Sequence, residues 1–574
     1  MKNSIPRQFL AWADRKPSVT AYAVKEGDGW KETSWSEYVR EVRETARAFM
    51  SLGLAPGGVV AIMGFNRPQW TISDLAAMAA GGAPVGIYNT CSEAQVEYIL
   101  GHSEAHIVVV ELGEPLEKVL AVRDRLPNLR HVVVMDGDDE HGTAWAELPG
   151  TAASVNEADL DARLDAITED ALGTLIYTSG TTGPPKGVAL SHGNLTEATK
   201  MGRELLPPVI RPDARVLSYL PMAHAAERAI TLLGASSFGY AVYYAESIER
   251  MPANLVDVQP DMFLGVPRVW EKIHAGLTAK LAQATGNKAR IAAWSRKVGL
   301  DYHRLNNQSA PIPLGLKLKY GVAYRLLFSR IRKALGLSRA EALLSGAAPI
   351  ALDVLEDLGS LDLPLREVYG QTEGSGPTSN NRHGEIRWGS VGRPFHGVEV
   401  RIADDGEIVL RGPNVFQGYY KDPAATAEVL IDGWLHSGDL GHVDEDGYLY
   451  VTGRKKEILV TAGGKNITPR NIEEGIKAHP LVNEAVVIGD RRRFLSALIT
   501  LDPEAEVGKD QAKARIWEHV EKVNSSLSNV EQIKKILVLP DQLTVDNGAL
   551  TPTMKLRRSV IADRYAGEID ALYA

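Results

Sequence analysis

Ten consecutive residues, Thr178 to Gly187 (TSGTTGPPKG), constrain this chain more than any other stretch. They follow the apolar run Leu175–Tyr177 and precede Val188–Leu190, so they read as a loop at the end of a strand. Gly180 and Gly183 let backbone N–H groups approach phosphate oxygens closely. The hydroxyls of Thr178, Ser179, Thr181 and Thr182 add donors, and Lys186 adds a cation. One such charge about 4 Å from a phosphate contributes roughly 4 kcal/mol at an effective dielectric near 20. The loop is not an NTPase P-loop, in which Gly directly precedes the Lys and Ser or Thr follows it. Here Pro185 precedes Lys186 and Gly187 follows.

The surrounding pattern is strand alternating with helix. Glu37–Leu52 carries apolar residues at helical spacing and Gly53 closes it. Val59–Gly64, Ile107–Val110 and His131–Met135 read as short apolar strands, and 229–245 as a buried helix followed by a strand. From Gly392 to Tyr450 the chain is rich in Gly, Asp and β-branched residues, as in a compact β-region with tight turns. A chain of 574 residues exceeds one core, so two or more domains are expected. The predicted fold is α/β. It has a large N-terminal domain of parallel-rich sheets flanked by helices, plus a β-region, and a small mobile α/β C-terminal domain. The boundary is expected at GRKKE, residues 453–457.

Composition narrows the chemistry. The single cysteine, Cys91, excludes an internal disulfide and reads as a small buried hydrophobe. No apolar h-region marks the N-terminus, and no stretch reads as a membrane span, so a cytoplasmic enzyme is expected. The net charge of −9 is segregated: residues 272–340 hold 14 Lys plus Arg against one acid, Asp301. Such a window suggests a surface for anions. A nucleic-acid partner is not expected, and the sequence does not set an oligomeric state.

Five motifs stand in one order: YTSGTTGPPKG, YGQTE at 369–373, HSGDLG at 436–441, GRKKE at 453–457 and TPTMK at 551–555. In order and spacing they resemble the acyl-adenylate-forming superfamily of acyl-CoA synthetases, luciferases and peptide-synthetase adenylation domains. The resemblance implies that a carboxylate attacks the α-phosphorus of ATP and pyrophosphate leaves, a meeting of two anions that cations and oriented donors must promote. It makes Lys555 the catalytic lysine, Glu373 the Mg²⁺ ligand and Thr372 a donor to the α-phosphate or acyl-adenylate. ATP would be held by Thr178, Ser179, Gly180, Thr181, Thr182, Gly183 and Lys186. Tyr369, Gly370 and Gln371 would lie at the adenine, with Gly346, Ala347 and Ala348 of SGAAPI along the base. Asp439 would accept from both ribose hydroxyls, with Arg454 as the second ribose contact. Thioester-forming members rotate the C-terminal domain between half-reactions. Residues 454–457 then become the hinge, pivoting at Lys456, between residues 1–453 and 458–574. Gly463 and Gly464 would line the path of the CoA thiol. Arg491–Arg493 read as a solvated turn, with CoA phosphates as the alternative.

PMAHAAER at 221–228 and GVPRVWEKI at 265–273 resemble long-chain fatty acyl-CoA synthetases of the bacterial and bubblegum-like branch. In that branch His224 lies near the acyl and adenylate site, and Arg268 and Trp270 would flank the acyl entrance. The expected reaction converts a long-chain fatty acid through acyl-AMP to acyl-CoA, using ATP, Mg²⁺ and CoA. The alternatives are an acyl-AMP ligase that loads a carrier protein, or a ligase for medium-chain or aryl acids. The basic window suits a peripheral membrane contact through 272–340, where basic residues interleave with Leu, Ile, Trp and Tyr.

Overall fold

The computed structural model describes residues 3–574, apart from 138, 179–183, 207–210, 212, 504, 506, 552 and 553. Two large sheets dominate the N-terminal domain, one of nine strands and one of eight. Their centres are parallel, as the apolar runs predict. Val59–Met63 is buried at every position because parallel neighbours, Ala83–Ile87 and Ile107–Val110, flank it and helices cover both faces. Antiparallel strands appear at the edges. Among them is the pair Leu172–Thr178 and Lys186–Ser191, which brackets the phosphate-type loop.

Helices fill the layer between the sheets. In Pro68–Ala79 ten successive residues, Trp70 to Ala79, are buried, as expected of a helix enclosed on all sides. The helix expected over Glu37–Leu52 runs from Trp35 to Ser51, beginning two residues earlier because Ser34 and Glu37 form a reciprocal capping box, and Gly53 leaves it at φ +89°. One apolar cluster joins Val60, Ile62 and Ile176 of one sheet to Val216, Val242 and Leu344 of the other. Separate clusters cover the outer faces. Cys91 is buried and its thiol is pushed up to about 11, which makes it unreactive.

The Gly- and Asp-rich region folds as a five-stranded sheet, within which Trp434–Val443 pairs with Leu449–Arg454. The C-terminal domain has a three-stranded sheet of Val482–Ile488, Leu495–Leu501 and Ile533–Val538. Helices Pro469–Lys477 and Lys509–Ser525 cover one face, and Arg558–Arg564 and Ala566–Tyr573 the other. Between Gly286 and Ala334 a helical insertion carries most of the basic window.

Candidate active site

The strand Arg366–Gln371 delivers YGQTE to its place. At its end a register shift between Tyr369 and Gly370 lets the strand turn into the 3₁₀ segment Thr372–Gly374. Position 370 must be glycine: a Cβ there would lie 1.9 Å from the Gly376 carbonyl oxygen. Ser375 closes the turn at φ +58° and donates to Asn414 O at 2.6 Å, while Asn414 Nδ2 donates to Gly374 O at 3.0 Å. Thr372 and Glu373 therefore sit on a braced turn. Gln371 Nε2 is buried and has no hydrogen-bond partner among the described residues.

Glu373 faces the basic end of the loop hairpin. Tyr419 OH donates to Glu373 Oε1 at 2.9 Å, and Lys186 Nζ stands 4.7 Å from the centre of the Tyr419 ring. Tyr419 arrives through the short strand Gly418–Tyr419, paired with Lys186–Ser191. Thr178 and Lys186 are directly opposed across the hairpin. Ser179, Gly180, Thr181, Thr182 and Gly183 lie outside the described residues.

Asp439 is 4% exposed, and each carboxylate oxygen accepts one side-chain hydrogen bond. Its Oδ1 accepts from Arg454 Nε at 2.8 Å, and its Oδ2 accepts from Tyr369 OH at 2.9 Å. The Tyr369 ring packs with Ile408 and Leu449. The SGAAPI turn follows strand Ala342–Gly346, where Ala347 takes φ +70° and Ala347 and Ala348 are exposed.

Lys555 belongs to the C-terminal domain, yet it feels the charges of the large one. Although the residue is exposed overall, partial loss of hydration holds its ammonium below the ordinary lysine value, and Arg454 and Arg470 add to this; Asp439 and Glu373 pull the other way. Its position comes from a tight local turn in which Thr551 N–H donates to Lys555 O at 2.8 Å and Lys555 N–H to Thr551 Oγ1 at 3.0 Å. His224 caps a short helix: its Nδ1 accepts from Ala226 N–H at 3.1 Å, so the neutral ring carries its proton on Nε2. Burial, and then Lys555, bring His224 down to about 4. Behind it, Glu227 is pushed up to about 7 by burial among neutral donors, including Ser218 and Thr231. Arg228 pairs with buried Asp74 and donates to Thr174 Oγ1.

Hydrogen bonds, a ring contact and electrostatic interactions thus link Lys186, Tyr369, Glu373, Asp439, Arg454, Lys555 and His224, with Thr372 next to Glu373 in the chain. Tyr419 and Arg470 join them, although neither lies in a motif that sequence reasoning singled out. Gly463 and Gly464 lie on the exposed turn Thr461–Lys465. All three arginines at 491–493 have internal partners: Arg491 lies 3.7 Å from the Asp490 carboxylate, Arg492 pairs with Asp570 at 2.6 Å, and Arg493 donates to Tyr573 O. Arg268 and Trp270 do not stand as expected. Trp270 is fully buried and donates to Leu344 O at 2.9 Å; Arg268 reaches across to the C-terminal domain.

The arrangement offers several cations and donors around a carboxylate pair, which suits a polyanionic nucleotide. Comparisons with known proteins agree. The AMP-binding enzyme family matches residues 9–420, and the AMP-binding enzyme C-terminal domain matches 456–574. The long-chain-fatty-acid–CoA ligase FadD15 of Mycobacterium tuberculosis is 38% identical over 562 residues, covering 95% of this chain and 92% of that protein. The long-chain-fatty-acid–CoA ligase ACSBG2 of Xenopus laevis is 37% identical over 621 residues, covering 99% and 84%. Among solved structures, the anthranilate CoA ligase AuaEII in complex with anthranoyl-AMP superposes with a TM-score of 0.77 at 20% identity, covering 99% of this chain and 98% of that one. ATP-bound MatB from Rhodopseudomonas palustris gives 0.71 at 23% identity, covering 98% and 99%. Two family matches spanning most of the sequence, and a site built from the residues of both domains, lead to one conclusion: the chain belongs to the AMP-binding enzyme family.

Proposed function

We propose that this protein is a long-chain fatty acid–CoA ligase that activates its acid as acyl-AMP and then transfers the acyl group to CoA, releasing AMP and pyrophosphate. The observation that carries the reading is the placement of Lys555 beside Asp439, Arg454 and Glu373, supported by the names of the relatives above.

In the first half-reaction the fatty carboxylate oxygen attacks the α-phosphorus and pyrophosphate departs. Lys555 bridges the two anions as they close, Thr372 donates to the α-phosphate, and Lys186 steadies the leaving phosphates. His224 stays neutral near pH 7 and serves as an Nε2–H donor, without taking up a proton. Asp439 keeps one lone pair per oxygen for the ribose hydroxyls, while Tyr369 and Arg454 fix its plane. Gly346, Ala347, Ala348, Tyr369, Gly370 and Gln371 border the base in this reading. In the second half-reaction the CoA thiol attacks the acyl carbonyl and AMP leaves, with Gly463 and Gly464 beside the thiol path.

Magnesium fits this site. Glu373 Oε2 has no protein partner among the described residues, and no cluster of three His, Cys, Asp or Glu there could cage an ion alone. That donor set suits an ion that takes one carboxylate and otherwise phosphate oxygens. When bound, it would neutralise phosphate charge. In this reading residues 1–453 bind ATP and acid, 454–457 form the hinge, and 458–574 form the catalytic lid. Lys455 is tied to Asp405 at 2.5 Å and Glu407 at 3.1 Å, which leaves exposed Lys456 as the pivot.

The finer partner is a membrane surface. On helix Leu314–Ala323 and its continuation, Leu314, Leu318, Val322 and Leu326 are 73%, 65%, 50% and 39% exposed at four-residue spacing. Exposed Lys317, Lys319 and Arg325 flank them. An apolar row with cations beside it suits an anionic bilayer, where a long-chain acid resides. No helix among the described residues is long and apolar enough to cross one.

The test is AMP release with acids from acetate to oleate, with and without CoA, and identification of the acyl product. Oleoyl-CoA formed in preference to shorter thioesters is expected. An acyl-adenylate that CoA does not discharge would favour carrier loading instead.

A further inference from the structure

Arg268 lies on helix Pro267–Ala282 of the large domain, and its partners lie on the small one. Its Nη2 donates to Asn483 Oδ1 at 2.8 Å, and Asp502 Oδ2 stands 3.8 Å away. Asn483 does not end the contact. Its Nδ2 donates to Gln542 Oε1 at 2.9 Å, and Gln542 Nε2 is anchored on Leu501 O at 2.7 Å. Asn547 Nδ2 in turn donates to Gln542 O at 2.8 Å, and Asn547 Oδ1 accepts from the N–H groups of Thr544 and Ala549. Leu550 N–H then bonds Thr544 O at 3.0 Å, one residue before the Thr551–Lys555 turn. Hydrogen bonds, joined by short stretches of main chain at Thr544 and at Leu550–Thr551, thus link a large-domain helix to the backbone of Lys555.

We infer that Arg268 is a positioning residue for adenylation: it docks the small domain through Asn483 and so sets where Lys555 stands. The inference rests on the ligase reading above. Arg268 is about a third exposed and carries no share of the fold's core, so its removal should loosen docking without unfolding either domain. Misplacement of a catalytic group by about 1 Å costs on the order of 100-fold in rate. The second half-reaction is not routed through Lys555 and should be spared.

The experiment measures two steps in the full chain: oleate-dependent exchange of pyrophosphate into ATP, and oleoyl-CoA formation from supplied oleoyl-AMP and CoA. For Arg268→Ala the expected result is a fall of about 10- to 100-fold in the exchange kcat, with the KM for ATP and the second step within about twofold of wild type. Asn483→Ala, on the other side of the contact, should reproduce the split, and the double variant should be no worse than either single one. Exchange equal to wild type in Arg268→Ala, or an equal fall in both steps, overturns the inference while the ligase reading stands. A wild-type chain without exchange overturns both.

Discussion

Asp439 and Arg454 face each other as directly paired residues of two antiparallel strands, with Arg454 Nε 2.8 Å from Asp439 Oδ1. The pairing aims a buried carboxylate whose plane the backbone and Tyr369 fix together. If this carboxylate reads the ribose diol, it discriminates ATP from 2′-deoxy-ATP. Hydrogen bonds to a charged group contribute about 1.5–3 kcal/mol, so Asp439→Ala should raise the KM for ATP roughly 10- to 100-fold. The variant should also erase most of the preference over 2′-deoxy-ATP. Steady-state kinetics with both nucleotides would check this, and a preference retained in full would exclude the role.

Lys555 must be charged to bridge two anions, and its ammonium is held below the ordinary lysine value of 10.5. Activity should therefore fall as pH rises through that lowered value, with an alkaline limb below pH 10.5. His224, already neutral above about 4, adds no acid limb near pH 5–7. Lys555→Ala should abolish pyrophosphate exchange and leave thioester formation from supplied acyl-adenylate within a few-fold. Equal loss of both steps would contradict the assignment.

Glu227 couples stability to pH. Its folded value of about 7 lies above the ordinary 4.5, so the folded state binds the extra proton between these two values. Its contribution is fully present below pH 4.5 and is lost as pH rises through 7. Glu227→Gln removes that loss, and at pH 8 it should be more stable than wild type by up to about 3 kcal/mol. Asp74, Glu367 and Glu474 titrate in the same direction, so the informative quantity is the difference between variant and wild type. Denaturant melts at pH 5 and pH 8 supply it.

Gly370→Ala forces a Cβ onto the Gly376 carbonyl. The expected cost is about 3 kcal/mol, at the upper end for overpacking, with loss of adenylation as Thr372 and Glu373 shift. Gly276→Ala, in open space on a helix, is the control and should be neutral or stabilising. A Gly370→Ala variant with unchanged melting temperature would show that the strand re-registers freely.

Leu318→Glu places an acid in the centre of the exposed apolar row. Sedimentation with phosphatidylglycerol vesicles at low salt should capture the wild type, and the variant should bind about tenfold less or weaker still. Activity on short, water-soluble acids should not change. Wild-type protein left in the supernatant would sink the membrane contact.

Much of this was legible in the sequence because it is local. The body of the helix Trp35–Ser51, its end before Gly53, and the buried strand Val59–Met63 each follow from residues a few positions apart. Asp439 and Arg454 were legible one at a time, as members of two motifs, but their register was not, since it depends on where Trp434–Val443 and Leu449–Arg454 pair. Tyr419 was missed because it meets Glu373 through a two-residue strand, 46 residues away and outside any periodic pattern. Arg470 was missed for a similar reason, as its helix is recognisable but its distance from Asp439 is not. An acyl-entrance role for Arg268 and Trp270 comes only from the resemblance carried by GVPRVWEKI. Helical spacing separates their directions but cannot tell a sheet carbonyl from another domain.

The Gly376 carbonyl that fills the space beside Gly370 has an evolutionary consequence. The walls of the acyl path can drift one side chain at a time, and so substrate range can diversify by small steps. Position 370 has no such neighbouring sequences, because every alternative residue begins with the same forbidden carbon. Variation in this lineage should therefore accumulate around a fixed catalytic turn, and libraries built to alter chain-length preference gain nothing by including it.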